Sequence, residues 1–171
     1  MPQTARLRLR RPSLEDAGAF AAINADAEVM RYVSQLGPLA RSESDLVLRK
    51  LVDHWDDHGF GLWFADVLET GELAGFLGLS HPSLPPVADE VEVGWRLGRD
   101  HWGHGYATEG AREAVRWAFG DLGLERLVCI IDRDNARSLA VAGRLGFSFW
   151  RDFDHPRWEH GVQVHTLDAP A

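Results

Sequence analysis

Trp95-Arg-Leu-Gly-Arg-Asp-His-Trp-Gly-His-Gly-Tyr-Ala-Thr-Glu109 decides the fold. An apolar strand, Val91 to Leu97, runs into a turn that holds Gly103 and Gly105. A helix follows at once, with Ala107, Ala111, Ala114, Val115 and Ala118 on one side. Strand, glycine turn and helix N-terminus together form an anion site, because free N–H groups and the helix dipole both point outward. Glycine serves there because a side chain would keep a phosphate away from the backbone. The segment predicts a phosphate-bearing ligand. It is not a Walker A loop, which needs Gly-Lys-Ser/Thr, and Thr108 stands where a dinucleotide fingerprint wants its third glycine.

Asp132-Arg-Asp-Asn-Ala-Arg-Ser-Leu-Ala-Val-Ala-Gly-Arg-Leu-Gly-Phe147 extends the pattern. The strand Arg126 to Ile131 precedes it. Asp134 or Asn135 suits a helix N-cap, Leu139, Val141, Ala142 and Leu145 give an apolar face, and Gly146 stands where a helix stops.

Outward from these segments, alternation of Arg6, Arg8 and Arg10 with Leu7 and Leu9 predicts a half-exposed strand over 5–10. Ser13 and Asp16 open a helix through Ala19, Phe20 and Ile23, and a short helix holds Val29, Met30 and Val33. Ser42 or Ser44 opens another, whose Leu46, Leu48, Leu51, Val52 and Trp55 predict one buried face. Strands over 62–68 and 73–79 join through the hairpin turn Glu69-Thr-Gly-Glu72. His81 to Pro86 is a Pro-rich loop, and strands near 148–153 and 162–167 complete the chain. The fold class is α/β: a mixed sheet with helices on both faces, in one domain over 1–171.

The 171 residues are 45 % hydrophobic, enough for a real core, and no stretch suits a membrane span or signal peptide. The expected location is therefore the cytoplasm. A net charge of −8 argues against a nucleic-acid partner and is compatible with a cationic one. Cys129, the lone cysteine, reads as a small buried residue. His101-x-x-His104 lacks further ligands at metal-closing spacing, so no metal is expected.

The two segments resemble the GNAT superfamily of acyl-CoA-dependent N-acyltransferases, and within it the RimJ/RimL-like branch. The likeness rests on Glu92-Val-Gly-Trp95, on Trp102-Gly-His-Gly-Tyr-Ala-Thr-Glu109, and on Asn135-Ala-Arg-Ser138 through Gly146-Phe147. The opening Arg6-Leu-Arg-Leu-Arg-Arg-Pro12 and Gly71-Glu-Leu-Ala-Gly-Phe-Leu-Gly-Leu79 are also similar to that branch. The resemblance implies a splayed central sheet and acetyl-CoA as cosubstrate, without a metal. It implies that pantetheine pairs with the backbone of Trp95, Arg96 and Leu97. The pyrophosphate would rest on N–H groups of Gly103, His104, Gly105, Tyr106, Ala107 and Thr108, with side chains of Arg99, His101 and His104 nearby. Asn135 and Ser138 would meet the pantetheine or thioester end.

Acyl transfer to an amine needs a base, a held oxyanion and a proton for the departing thiolate. Glu92 matches the family's strand glutamate and is the candidate general base, with a pKa raised by apolar surroundings. Glu90 and Glu92 alternating with Val91 and Val93 also read as the outer face of a half-exposed strand. Many relatives carry Tyr seven residues after the Asn. Here that position is Ala142, and Ser138 is the substitute general acid, or else a cofactor contact or a first-turn helix residue. The acceptor implied is a primary amine, of a protein N-terminus or a small molecule, attacked directly in a ternary complex. A non-catalytic acyl-CoA-binding module is the alternative, and a homodimer is compatible with the family. The acceptor pocket is expected from residues 25–35 and from loops at 81–89 and 152–161. Trp55 and Trp63 suit a core, and Trp150 and Trp158 an acceptor wall. Asp152-Phe-Asp-His155 reads as a polar turn or a carboxylate–histidine site.

Overall fold

A computed structural model describes residues 2–33, 37–155 and 158–170, with backbone alone at 155 and 158–160. The strands are β1 (Leu7–Arg10), β2 (Leu62–Val67), β3 (Leu73–Ser80), β4 (Glu92–Leu97), β5 (Arg126–Asp132), β6 (Ser148–His155) and β7 (Trp158–Asp168). The helices are α1 (Ala17–Asn24), α2 (Ala27–Met30), α3 (Arg41–His58), α4 (Tyr106–Gly120) and α5 (Ala136–Leu145). The strands form one mixed sheet in the order β1-β2-β3-β4-β5-β7-β6. The expected class, a mixed sheet with helices on both faces, is observed; the short helix expected to hold Val29, Met30 and Val33 ends at Met30, and Val33 lies in the turn after it. No helix among the described residues is long and apolar enough to cross a membrane.

Alternation along the strands divides the core. Trp63, Ala65, Leu77, Val93 and Leu97 face α4, where buried Gly110, Ala111, Ala114 and Ala118 let the helix axis approach the sheet. Phe64 and Phe76 point the other way and pack with Phe20 of α1 and Leu48 of α3. Trp55 and Trp63 both meet Trp117, with ring centroids 5.8 and 4.8 Å apart, so their core assignment holds. Leu7 and Leu9 are fully buried while Arg8 and Arg10 bind Asp66 from the other face, as the alternation in β1 requires.

Two expectations for α3 need correction. The helix starts at Arg41, and Glu43 reaches back to accept the Ala40 N–H at 2.7 Å. Neither serine caps it: Ser44 is buried, and its hydroxyl accepts from the Asn24 amide at 2.9 Å. Ser44 lies one turn into α3, facing α1, so its hydroxyl serves a tertiary contact instead of the local cap. Leu46, read as buried, is 61 % exposed, because the α3 stripe that meets the sheet runs through Leu48 and Trp55. Ser13 and Asp16 do cap each other, around a 3-10 turn over Leu14–Asp16 that leads into α1.

The parallel pair β4 and β5 positions the site. They share one register pair, Glu92↔Val128, with the Val128 N–H donating to the Val91 carbonyl at 2.9 Å. Beyond that point the strands diverge, and β5 pairs with β7 along its full length. The sheet is therefore splayed at its centre.

Candidate active site

The Gly98 N–H donates to Ala74 of β3. Antiparallel alternation then turns the backbone groups of residues 92, 94 and 96 toward β3 and those of 93, 95 and 97 toward the gap. On that edge the Val93 carbonyl accepts from the Cys129 thiol at 3.4 Å, and the Leu97 carbonyl accepts from the Trp102 indole at 2.9 Å. Trp95 stands between them with its peptide groups facing the opening. An extended polar chain laid in the gap meets a strand edge there. Arg96, grouped with Trp95 and Leu97 on the resemblance, does not share this edge: its carbonyl lies against Gly75 of β3.

At the mouth of the gap, Gly103 and Gly105 adopt φ +80° and +81°, and α4 begins at Tyr106. Its first-turn N–H groups have no partner within the helix and face outward with the dipole. The loop has a strut that the sequence did not single out. The Glu109 carboxylate accepts from the Thr4 hydroxyl at 2.6 Å, from the Arg6 amide at 2.8 Å and from the Arg6 guanidinium at 2.7 Å. Arg6 also donates to the His104 carbonyl at 2.9 Å and lies over the Tyr106 ring. Burial opposes ionisation of Glu109, but these donors outweigh it and hold its carboxyl below the usual range. The only sequence signal was Glu109 inside the quoted motif; strand alternation explained Arg6 without reference to the loop. Arg6→Ala should raise the acetyl-CoA KM about tenfold, about 1.4 kcal/mol, and change kcat little. Initial rates against acetyl-CoA concentration check this, and an unchanged KM would mean the loop stands without its strut.

Arg99, His101, His104 and Tyr106 line an open hollow of about 710 Å³ that also touches α1 and the β2–β3 turn. Glu92, Asn135 and Ser138 lie elsewhere, around a cavity of about 250 Å³ on the splay. The smaller space holds the groups that can do acyl-transfer chemistry. Asn135 caps α5 by accepting the Ser138 N–H at 3.1 Å, and Asp134 is not the cap. The Ser138 hydroxyl accepts from the Trp95 indole at 3.3 Å, across the gap, leaving its own proton to donate. Tyr32 and Val33 bring the segment after α2 to the cavity; residues 34 and 35 of the expected acceptor region lie outside the described residues.

Glu92 shares a face with Gly94 and Arg96 and opens on this cavity rather than on the outer surface. It is half-buried. Burial pushes its carboxyl up to about 7, against the opposing effect of the Ile130 N–H, which donates to it. A carboxyl in this range exchanges protons near neutral pH.

Asp152 and Asp154 lie within 3.2 and 3.4 Å of Arg133, forming ion pairs; the His155 side chain lies outside the description. Trp150 is 45 % exposed on β6, away from the cavity, and the Trp158 side chain is not described.

The splayed pair, glycine loop and carboxylate-bearing cavity meet their counterpart in known proteins. The family model for the acetyltransferase (GNAT) domain matches residues 6–148. The chain belongs to the GNAT family. GNAT relatives include the FsC-acetyl coenzyme A-N(2)-transacetylase of Aspergillus fumigatus, 33 % identical over 90 % of this chain and 68 % of that protein. Among solved structures, an acetyltransferase from Agrobacterium tumefaciens is 32 % identical with TM-score 0.81, covering 98 % of this chain and 94 % of its own. RimL, the ribosomal L7/L12 α-N-protein acetyltransferase solved with coenzyme A, shares the fold at 18 % identity and TM-score 0.75, over 98 % of this chain and 97 % of its own. As a GNAT N-acetyltransferase, the chain moves an acetyl group to an amine, and the family draws that group from acetyl-CoA.

Proposed function

We propose that the chain acetylates a primary amine by direct attack in a ternary complex, with Glu92 as general base and Ser138 as hydrogen-bond donor to the leaving thiolate. The observation that carries this is Glu92 itself, on the reaction cavity beside the splay and poised near pH 7. Trp95 offers N–H and C=O along the gap for the pantetheine amides. The loop from Gly103 to Thr108 offers amides and a helix terminus for the pyrophosphate. When bound, acetyl-CoA supplies an activated acetyl thioester. Glu92 takes the proton that the attacking amine must lose. Ser138 donates its O–H as a hydrogen bond to the departing thiolate, which is stable enough to leave because a thiol titrates near about 8.5, and the proton that Glu92 took from the amine is returned to the sulfur through solvent. The likeness to the RimJ/RimL-like branch supports a protein N-terminus as one acceptor and a small-molecule amine as the other. A space of about 250 Å³ admits its first residue or a small amine.

Titration with acetyl-CoA beside ATP and NAD, read by calorimetry and thermal shift, tests the reading. Stabilisation by acetyl-CoA alone is expected, followed by free-thiol release with an amine. Stabilisation by a nucleotide without acetyl-CoA would overturn it.

A further inference from the structure

Among the described residues, Arg96 on the cavity wall pairs with no carboxylate. Arg96 follows Glu92 by four residues on the same face of β4, so their Cα atoms lie about 13 Å apart along it. Its guanidinium sits 4.9 Å over the Phe76 ring and donates to the Asn24 Oδ1 at 2.7 Å. Asn24 is fully buried and is fixed in turn by its bond to Ser44. Among the described residues, no carboxylate lies within ion-pair distance of Arg96, although Arg8 and Arg10 both find Asp66. Burial pulls the Arg96 pKa down to about 10, which still leaves it cationic at neutral pH. An arginine so enclosed, bonded only to a neutral amide, has donors to spare and a strong tendency to acquire an anion. Its planar fork matches a carboxylate, and the ring beneath it fixes the plane.

We propose that the acceptor is an amino carboxylate, whose carboxylate binds Arg96 while its amine reaches Glu92. This deepens the reading of the cavity as the acetyl-acceptor site and rests on it. The selectivity follows from charge. A polyamine that reached as far as Arg96 would set a second cation against a half-buried guanidinium, which costs free energy, whereas a carboxylate there relieves the charge; Asp132, a further carboxylate on the lining, already accepts the Asp134 N–H. The acidic surface of the whole chain does not alter this, because the cavity contact is local and the surface is screened.

The test pairs amines that differ only in the anion: 6-aminohexanoate against hexylamine, and β-alanine against propylamine, with phosphoethanolamine as a second oxyanion. Free thiol release gives kcat/KM for each. The carboxylates are expected to exceed their matched amines by tenfold or more, and phosphoethanolamine to fall below β-alanine. Arg96→Gln, which removes the charge and keeps an amide donor, should erase that ratio, read as the kcat/KM of each carboxylate over that of its matched amine. A uniform loss on every acceptor would instead mark Arg96 as a strut between β4 and α1 and overturn the proposal. So would a preference for the plain amines or a diamine, and a phosphoethanolamine rate above β-alanine would replace carboxylate by phosphate. Calorimetry with 6-acetamidohexanoate and N-hexylacetamide, with coenzyme A present, reads the same contact without chemistry. Equal affinities overturn the proposal even if no acceptor turns over. Loss of acetyl-CoA binding, by contrast, would strike the acyltransferase reading and not this contact.

Discussion

Glu92→Gln is expected to lower kcat by about 10²- to 10⁴-fold, the range a positioned general base supplies, while acetyl-CoA affinity stays unchanged. The parent should show kcat/KM rising with pH through a midpoint near 7, the value to which burial moves this carboxyl. That rise should disappear from the residual rate of the variant. The same group gives a stability signature of known sign. Its folded pKa lies above the unfolded 4.5, so the folded chain holds the extra proton between the two values. Stability therefore falls as pH rises from 4.5 to about 7 and is flat above. Glutamine removes the penalty, and at pH 8 the variant should be more stable by about 3 kcal/mol relative to their difference at pH 4. Denaturant melts at the two pH values read this directly. A variant that keeps full kcat, with or without the stability gain, would leave Glu92 as a buried carboxyl and not the base.

Gly75→Ala should be the most damaging small change in the sheet. Gly75 has φ +149°, and a Cβ there would meet the Arg96 carbonyl and stand 2.7 Å from the Leu97 Cα. Both obstacles are backbone, so relief requires β4 to move, and β4 carries Glu92, Trp95 and Arg96. The expected cost is about 3 kcal/mol or more, a fall in Tm of roughly 6–12 °C, with loss of acetyl-CoA turnover beyond the unfolded fraction. Gly18→Ala is the contrast: nothing lies within 4 Å of its added Cβ, in the first turn of α1, and a gain of about 0.5–1 kcal/mol is expected. Thermal melts of the two variants decide the matter. Similar Tm values for both would show that β3 and β4 tolerate separation.

What could be read along the chain was whatever depends on near neighbours. Period-two alternation placed β1 and its buried Leu7 and Leu9. The glycine loop, the cap at Asn135 and the stop at Gly146 were visible because a turn or cap is a contact over three or four residues. The order strand, glycine turn and helix pointed to an anion site at the start of α4, and the resemblance of Glu92-Val-Gly-Trp95 to the GNAT strand motif pointed to β4. Tertiary structure decided what those residues face. Alternation alone left Glu92 open between a solvent face and an apolar site; only the register pair Glu92↔Val128, with divergence beyond it, turns its face into a cavity. Arg96 and Arg6 look alike in sequence, two arginines in apolar strands. Arg6 has Glu109, 103 residues away, whereas the described partners of Arg96 are the Asn24 amide on α1 and the Phe76 ring. Ser44 and Leu46 were misread for the same reason, since a cap and a buried stripe are local patterns that distant packing can override. Charge compensation and burial depend on what the folded chain brings across the sheet, and sequence spacing carries no distance across a sheet.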